Sequence, residues 1–288
     1  GDAAAPAAAA APAINPRDFA PEVDLHAALK DSDFKSKINE AKWSEKVAAL
    51  NIAILALGSV PKLKEADYDG FLDKVFPLVS HSHFQVSAHA MRLLALMAEG
   101  MGAGFRPYAT KTARLYLAQL NNKKVLAAAK ESFHKLYCNS AGLEGFGAVA
   151  DDLKGCMEGK KRLSAVHGRE AVLGIVADCL TEASPSVPKR EAEDTVEELA
   201  RIAISQIGDR DPKIRAAATA MLVAVATPSP RLSQGPKLQR LVQAIQGDFP
   251  RVHKVVTEAM SGAPAVAAPA AAPTAAPSES KRPASSAS

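Results

Sequence analysis

Few residues in this chain are spaced for covalent or metal chemistry, and those few fall short. His81 and His83 lie two apart with no Cys, Asp or Glu close by. That is too few ligands for a closed metal site, so the pair reads as a solvated loop and no metal is expected. The run from Gly155 to Gly159-Lys160-Lys161 resembles a phosphate-binding loop, but it is one residue short, lacks the Ser/Thr and follows no strand. Cys138, Cys156 and Cys179 are odd in number and widely spaced, with no CxxC pair. Set in apolar helical stretches, they read as buried thiols of a reducing compartment. No Ser-His-Asp or Cys-His constellation and no carboxylate pair stands out, so neither an enzyme nor a cofactor is expected.

What remains is suited to binding. Trp43 is the single Trp of the chain and falls in the polar turn Ala41-Lys42-Trp43-Ser44-Glu45. An indole there offers a partner a large contact area at low entropy cost, or else folds back as a plug on the first helix pair. Phe84 stands at the tip of His81-Ser82-His83-Phe84-Gln85, either exposed or tucked between repeats. Three further turns are basic: Asn121-Asn122-Lys123-Lys124, Gly159-Lys160-Lys161-Arg162 and Asp209-Arg210-Asp211-Pro212-Lys213, with Arg215 just beyond. Each alone is ordinary solvated surface. Together on one edge they would steer an acidic partner and pair with its carboxylates. Asp209 or Asp211 is also placed to cap the helix that Pro212 opens.

The elements that position these turns are helices. Val86, Ala90, Leu93 and Met97 step by the period of an amphipathic helix, as do Val47, Leu50, Ile54 and Leu57, and Ile214, Ala218, Met221 and Val225. The helices pair across short polar turns. Asp33–Ala41 leads into Trp43–Val60, Tyr68–Val79 into Gln85–Met101, and Phe105–Leu120 into Lys124–Cys138. Leu143–Glu158 then leads into a helix within Ser164–Thr181, and Glu193–Ile207 into Pro212–Ala226. Second helices therefore recur about every 40 residues, the HEAT/armadillo signature. A degenerate sixth unit, Pro236–Gln246 and Arg251–Met260, caps the end. One pair cannot bury its own apolar face, so neighbours stack into an all-α solenoid, and the turns within pairs line up along one narrow edge.

Composition agrees: 48% of the 288 residues are apolar, only 5% aromatic, and alanine is abundant, which suits closely approaching helices. A formal net charge of +4 is modest for a nucleic-acid module, so no nucleic acid is expected as partner. No apolar run is long enough to span a membrane, and no signal peptide is visible. Residues 1–15 are almost all Ala and Pro, and 262–288 are Ala, Pro and Ser. Both read as disordered linkers flanking one domain over 16–261. With a start at Gly1 and no Met, a segment of a longer chain is expected.

The turns also carry a family resemblance. Lys42-Trp43-Ser44-Glu45-Lys46 followed by Ala49-Leu50 resembles the opening repeat of TOG domains, and Lys123-Lys124 resembles the paired lysines of their third turn. Asp209-Arg210-Asp211-Pro212-Lys213-Ile214-Arg215 resembles the Asp-x-x-Pro-x-Val-Arg of the fifth turn. The lead-in Asn15-Pro16-Arg17-Asp18-Phe19, with Val23-Asp24-Leu25, looks like the segment before internal TOG domains of the microtubule polymerase family. The resemblance covers about residues 15–226. It implies a flat paddle of six HEAT repeats that binds the αβ-tubulin heterodimer in its curved form through the turn edge, and promotes or regulates microtubule growth as one module of an array. It further implies a cytoplasmic, microtubule-associated place of action (cytoskeleton, spindle, microtubule-organising centre, plus ends) and a monomeric domain. Carried over by position, Trp43 would anchor on β-tubulin with Lys42 beside it. Phe84 stands where the family has a smaller aliphatic. Lys124 would supply a charge contact, and Arg215 would pair with an acidic group on α-tubulin; beside these, the basic turns offer Lys42, Lys123, Lys160, Lys161 and Lys213 as further tubulin contacts. His81-Ser82-His83 departs from the family's Asp-x-Asn-like second turn, and Leu163-Ser164-Ala165 departs in the fourth. The rival reading is a generic HEAT scaffold that does not bind tubulin.

Overall fold

The structure is a computed structural model that describes residues 21–58, 62–181, 193–228 and 235–262. The expected linker over 1–15 and, apart from Gly262, that over 262–288 lie outside the described residues, as does the proline-bearing segment Glu182–Lys189. Among the described residues all regular secondary structure is helical. In chain order the α-helices are α1 Leu25–Lys30, α2 Phe34–Lys37, α3 Trp43–Leu57, α4 Asp69–Val79, α5 Phe84–Met101, α6 Arg106–Gln119, α7 Leu126–Leu136, α8 Gly142–Met157, α9 Val166–Thr181, α10 Glu193–Gln206, α11 Pro212–Ala226, α12 Pro236–Ala244 and α13 Pro250–Met260.

From α3 onward these form two layers. Helix α3 packs on α5, α5 on α7, α7 on α9, α9 on α11 and α11 on α13. The other layer runs α4 on α6, α6 on α8, α8 on α10 and α10 on α12. This is the stacked two-layer solenoid that the period demands. One apolar core runs its length, from Leu25 and Phe34 through Leu50, Met91, Phe133 and Leu173 to Leu222 and Val256, each 3% exposed or less. Alanines such as Ala49, Ala53, Ala90, Ala129, Ala200 and Ala218 are fully buried between helices, where a larger side chain would hold the layers apart. Tyr116 of α6 pins the layers together: its hydroxyl donates to Met91 O at 2.9 Å, and burial pushes the phenol well above its ordinary pKa.

The first repeat departs from expectation. In place of one helix over Asp33–Ala41 there is the four-residue α2, preceded by α1 within what read as lead-in. Asp24 caps α1 by accepting the Ala27 N–H at 2.9 Å, and Leu25 and Leu29 bury its inner face. Ser32 then breaks the rod, its Oγ donating to Leu29 O and accepting from Phe34 N–H. Such local side-chain bonds compete with helix continuation. The chain before α1 is strapped to the α3–α4 loop, where Val23 N–H donates to Lys62 O at 2.7 Å and Lys64 N–H to Val23 O at 3.0 Å. Helix α3 stops at Leu57 because Gly58 takes φ +72°, which side-chain-bearing residues rarely adopt.

One smaller difference follows. Helix α7 gives way after Leu136 to a π-type turn over Tyr137–Ala141, which leaves Cys138 half-buried where a buried thiol was expected. Cys156 and Cys179 are buried, and burial raises the Cys156 thiol to about 11. The second helix of the fourth repeat, Val166–Thr181, falls within the expected Ser164–Thr181.

Candidate functional site

The edge is built at the N-terminal ends of α3, α5, α7, α9 and α11, where each repeat turns. Trp43 and Phe84 are the first residues of α3 and α5. Equivalent places in adjacent repeats put their rings side by side, with His83 between them. The Trp43 and His83 rings stack with centroids 3.8 Å apart at 9°, and His83 and Phe84 at 5.3 Å and 23°. Lys124, from the third turn, places Nζ 5.5 Å from the Phe84 centroid, within cation–π range. Trp43 is thus neither free nor a core plug. It is 42% exposed, with one face on His83; Phe84 is 37% exposed.

His83 was expected to be a solvated loop residue, and it is instead half-buried at the centre of this stack. Its neighbour His81 closes the turn, its Nδ1 accepting the His83 backbone N–H at 3.0 Å. Asn122 does the same for Lys124 N–H at 3.1 Å, and Asp209 for Asp211 N–H at 2.8 Å. Three turns therefore share one side-chain-closed geometry, with an imidazole nitrogen in the second where Asx oxygens serve the third and fifth. Among the described residues no cluster of three or more His, Cys, Asp or Glu is placed to hold a metal.

The remaining turns are tied in series. Asn121 in the third turn accepts Ala165 N–H at 3.2 Å and donates to Ser164 Oγ at 3.4 Å, while His167 Nε2 approaches Asn121 O at 3.0 Å. Gly168 permits that approach; a Cβ there would lie 3.0 Å from Leu120 O. The fourth and fifth turns meet through Asp209. Its carboxylate takes Arg169 Nη1 at 2.8 Å and Arg162 Nη2 at 3.7 Å, with Arg169 only 7% exposed. The Asp211 N–H, and after it Arg169 and Arg162, hold the Asp209 carboxyl below the usual carboxylate range against the opposing effect of burial. Asp211 is the N-cap of α11, accepting Lys213 N–H at 2.9 Å. Arg215 folds over the fifth turn, donating to Asp209 O and Arg210 O at 2.9 Å each, and remains exposed.

The other expected contacts fall along the same edge with different freedom. Lys42, Lys123 and Lys213 are exposed. Lys161 is exposed but lies 3.9 Å from Asp152. Lys160 lies within the 3-10 turn Gly159–Lys161, and its side chain lies outside the described residues. Sequence reasoning missed Arg162 and Arg169 as a pair on Asp209, because residues forty apart in sequence meet only through the stacking of repeats.

No family model matches the chain. Its architecture is that of TOG domains. A chain solved to explain microtubule plus-end tracking by XMAP215, CLIP-170 and EB1 superposes with a TM-score of 0.65 at 20% identity, covering 84% of this chain and 94% of that one. A chain from microtubule polymerases with TOG domain arrays, studied for tubulin recruitment and assembly, gives 0.64 at 18% identity, covering 86% and 48%. In sequence, protein mini spindles of Drosophila melanogaster is 27% identical over 131 residues, which is 44% of this chain and 6% of that protein's length.

Proposed function

We propose that this chain binds the αβ-tubulin heterodimer through the edge that runs from Trp43 to Arg215, and regulates microtubule growth as one module of a larger protein in the cytoplasm. The observation that carries this reading is the unbroken series of contacts between successive turns, Trp43–His83, Phe84–Lys124, Asn121–Ala165 and Arg169–Asp209. A series of this kind fixes the apolar end and the basic end at a set spacing. A rigid edge can then complement one curvature of a two-subunit partner and fit another badly. That differential affinity would let the domain take free, bent tubulin and release it into a straight lattice.

In chemical terms, Trp43 and Phe84 supply the apolar anchor, and Lys42, Lys123, Lys124, Lys160, Lys161, Lys213 and Arg215 the cations for an acidic surface. The decisive experiment is a titration of fluorescently labelled αβ-tubulin with the parent and with Trp43→Ala. The loss of an interface anchor should cost about 2 kcal/mol of binding, roughly thirtyfold in Kd. Parent-like binding by Trp43→Ala would rule the edge out as the contact surface. A parent that forms no complex at micromolar concentration would favour a HEAT scaffold for some other partner.

A further inference from the structure

We propose that His83 is the positioning residue of the apolar end: its ring, stacked with both Trp43 and Phe84, holds the indole in one orientation with its outer face presented to the partner. The inference rests on the tubulin reading above for its partner and on the ring geometry for its mechanism.

Trp43 and Phe84 stand at the first positions of two neighbouring helices, where few side chains surround them. Left alone, an indole at such a site samples several rotamers, and a partner must order it on binding. A ring at 3.8 Å and 9° removes that freedom beforehand. His83 itself cannot swing away cheaply. Its backbone is extended at the N-cap of α5, with φ −85° and ψ 119°, and the His81 ring holds its N–H. Its ring also stacks with that of Phe84, over which Lys124 lies. Its Nδ1 is buried and has no hydrogen-bond partner among the described residues. What its ring does contribute is stacking area. Ordering one large side chain in advance is worth about threefold to tenfold in affinity.

Trp43 is the single Trp of the chain, so the protein's own Trp emission reports on this ring alone. The test compares the parent, His83→Ala and His83→Phe as isolated proteins, with helicity checked by circular dichroism, and then with labelled αβ-tubulin. In His83→Ala the emission should shift to the red, acrylamide quenching should rise, anisotropy should fall, and tubulin affinity should drop about threefold to tenfold. His83→Phe keeps a flat ring in place and should restore both the shielded emission and the affinity; it also serves if the Ala variant misfolds. Unchanged emission and quenching in His83→Ala would overturn the proposal, as would changed fluorescence with unchanged affinity. If the parent itself fails to bind tubulin, the functional reading falls, and the fluorescence arm alone decides whether His83 positions Trp43.

Discussion

Asp209 is the residue on which the basic end of the edge depends. It closes its own turn through the Asp211 N–H and receives Arg169 from the preceding repeat. Removing it leaves a guanidinium that is 7% exposed without its carboxylate. Asp209→Ala should therefore destabilise the domain by about 2 kcal/mol, measured by urea unfolding. The pH dependence has a definite sign. Its carboxyl is held below the ordinary range in the folded state, so its contribution is fully present above that range and lost as pH falls through the lowered value. The parent should lose stability on acidification across that window, and Asp209→Asn should show a shallower acid limb. An equally steep limb in Asp209→Asn would place the linkage elsewhere. Arg215 sits on the same turn, and its bonds to Asp209 O and Arg210 O give it a fixed direction.

At the scale of the element, two of the helix ends that form the site, those of α3 and α5, start without a side-chain cap. Lys42 is the N-cap of α3 and makes no side-chain cap bond, and His83 makes none at α5. A lysine at the positive end of a helix dipole is unfavourable, and the first N–H groups go uncapped by side chains. By contrast Asp211 caps α11 in the expected way. Lys42→Asp should thus raise the stability of the domain by about 1 kcal/mol in urea titrations and at the same time weaken tubulin binding. A variant that gains stability and binds as the parent does would return Lys42 to ordinary surface.

For the molecule as a whole, the two layers make the edge stiff because each turn is held by the next. No helix of the described residues is long and apolar enough to cross a membrane. The cations of the edge are mostly exposed, so their attraction for an acidic partner is open to screening. Association with tubulin should weaken steadily with added salt, most of the electrostatic part being gone near 1 M, where the screening length is about 3 Å. Affinity independent of salt would shift the weight of the interface onto Trp43 and Phe84.

The sequence by itself determined the helices, their pairing and the repeat, since these follow from apolar periodicity and from prolines and polar turns that act over a few residues. It marked Trp43, Phe84 and the basic turns as one edge, because a regular repeat places equivalent turns in a row. The short first repeat was harder to read: α1 and α2 are each too brief to show a period, and the Ser32 bonds that divide them are local accidents of side-chain geometry. Only the tertiary structure decided which side chains touch across repeats. His83 lies forty residues from Trp43 in sequence, as does Asp209 from Arg169, and no local pattern records the lateral offset between stacked helices that brings a ring onto a ring or a carboxylate onto a guanidinium.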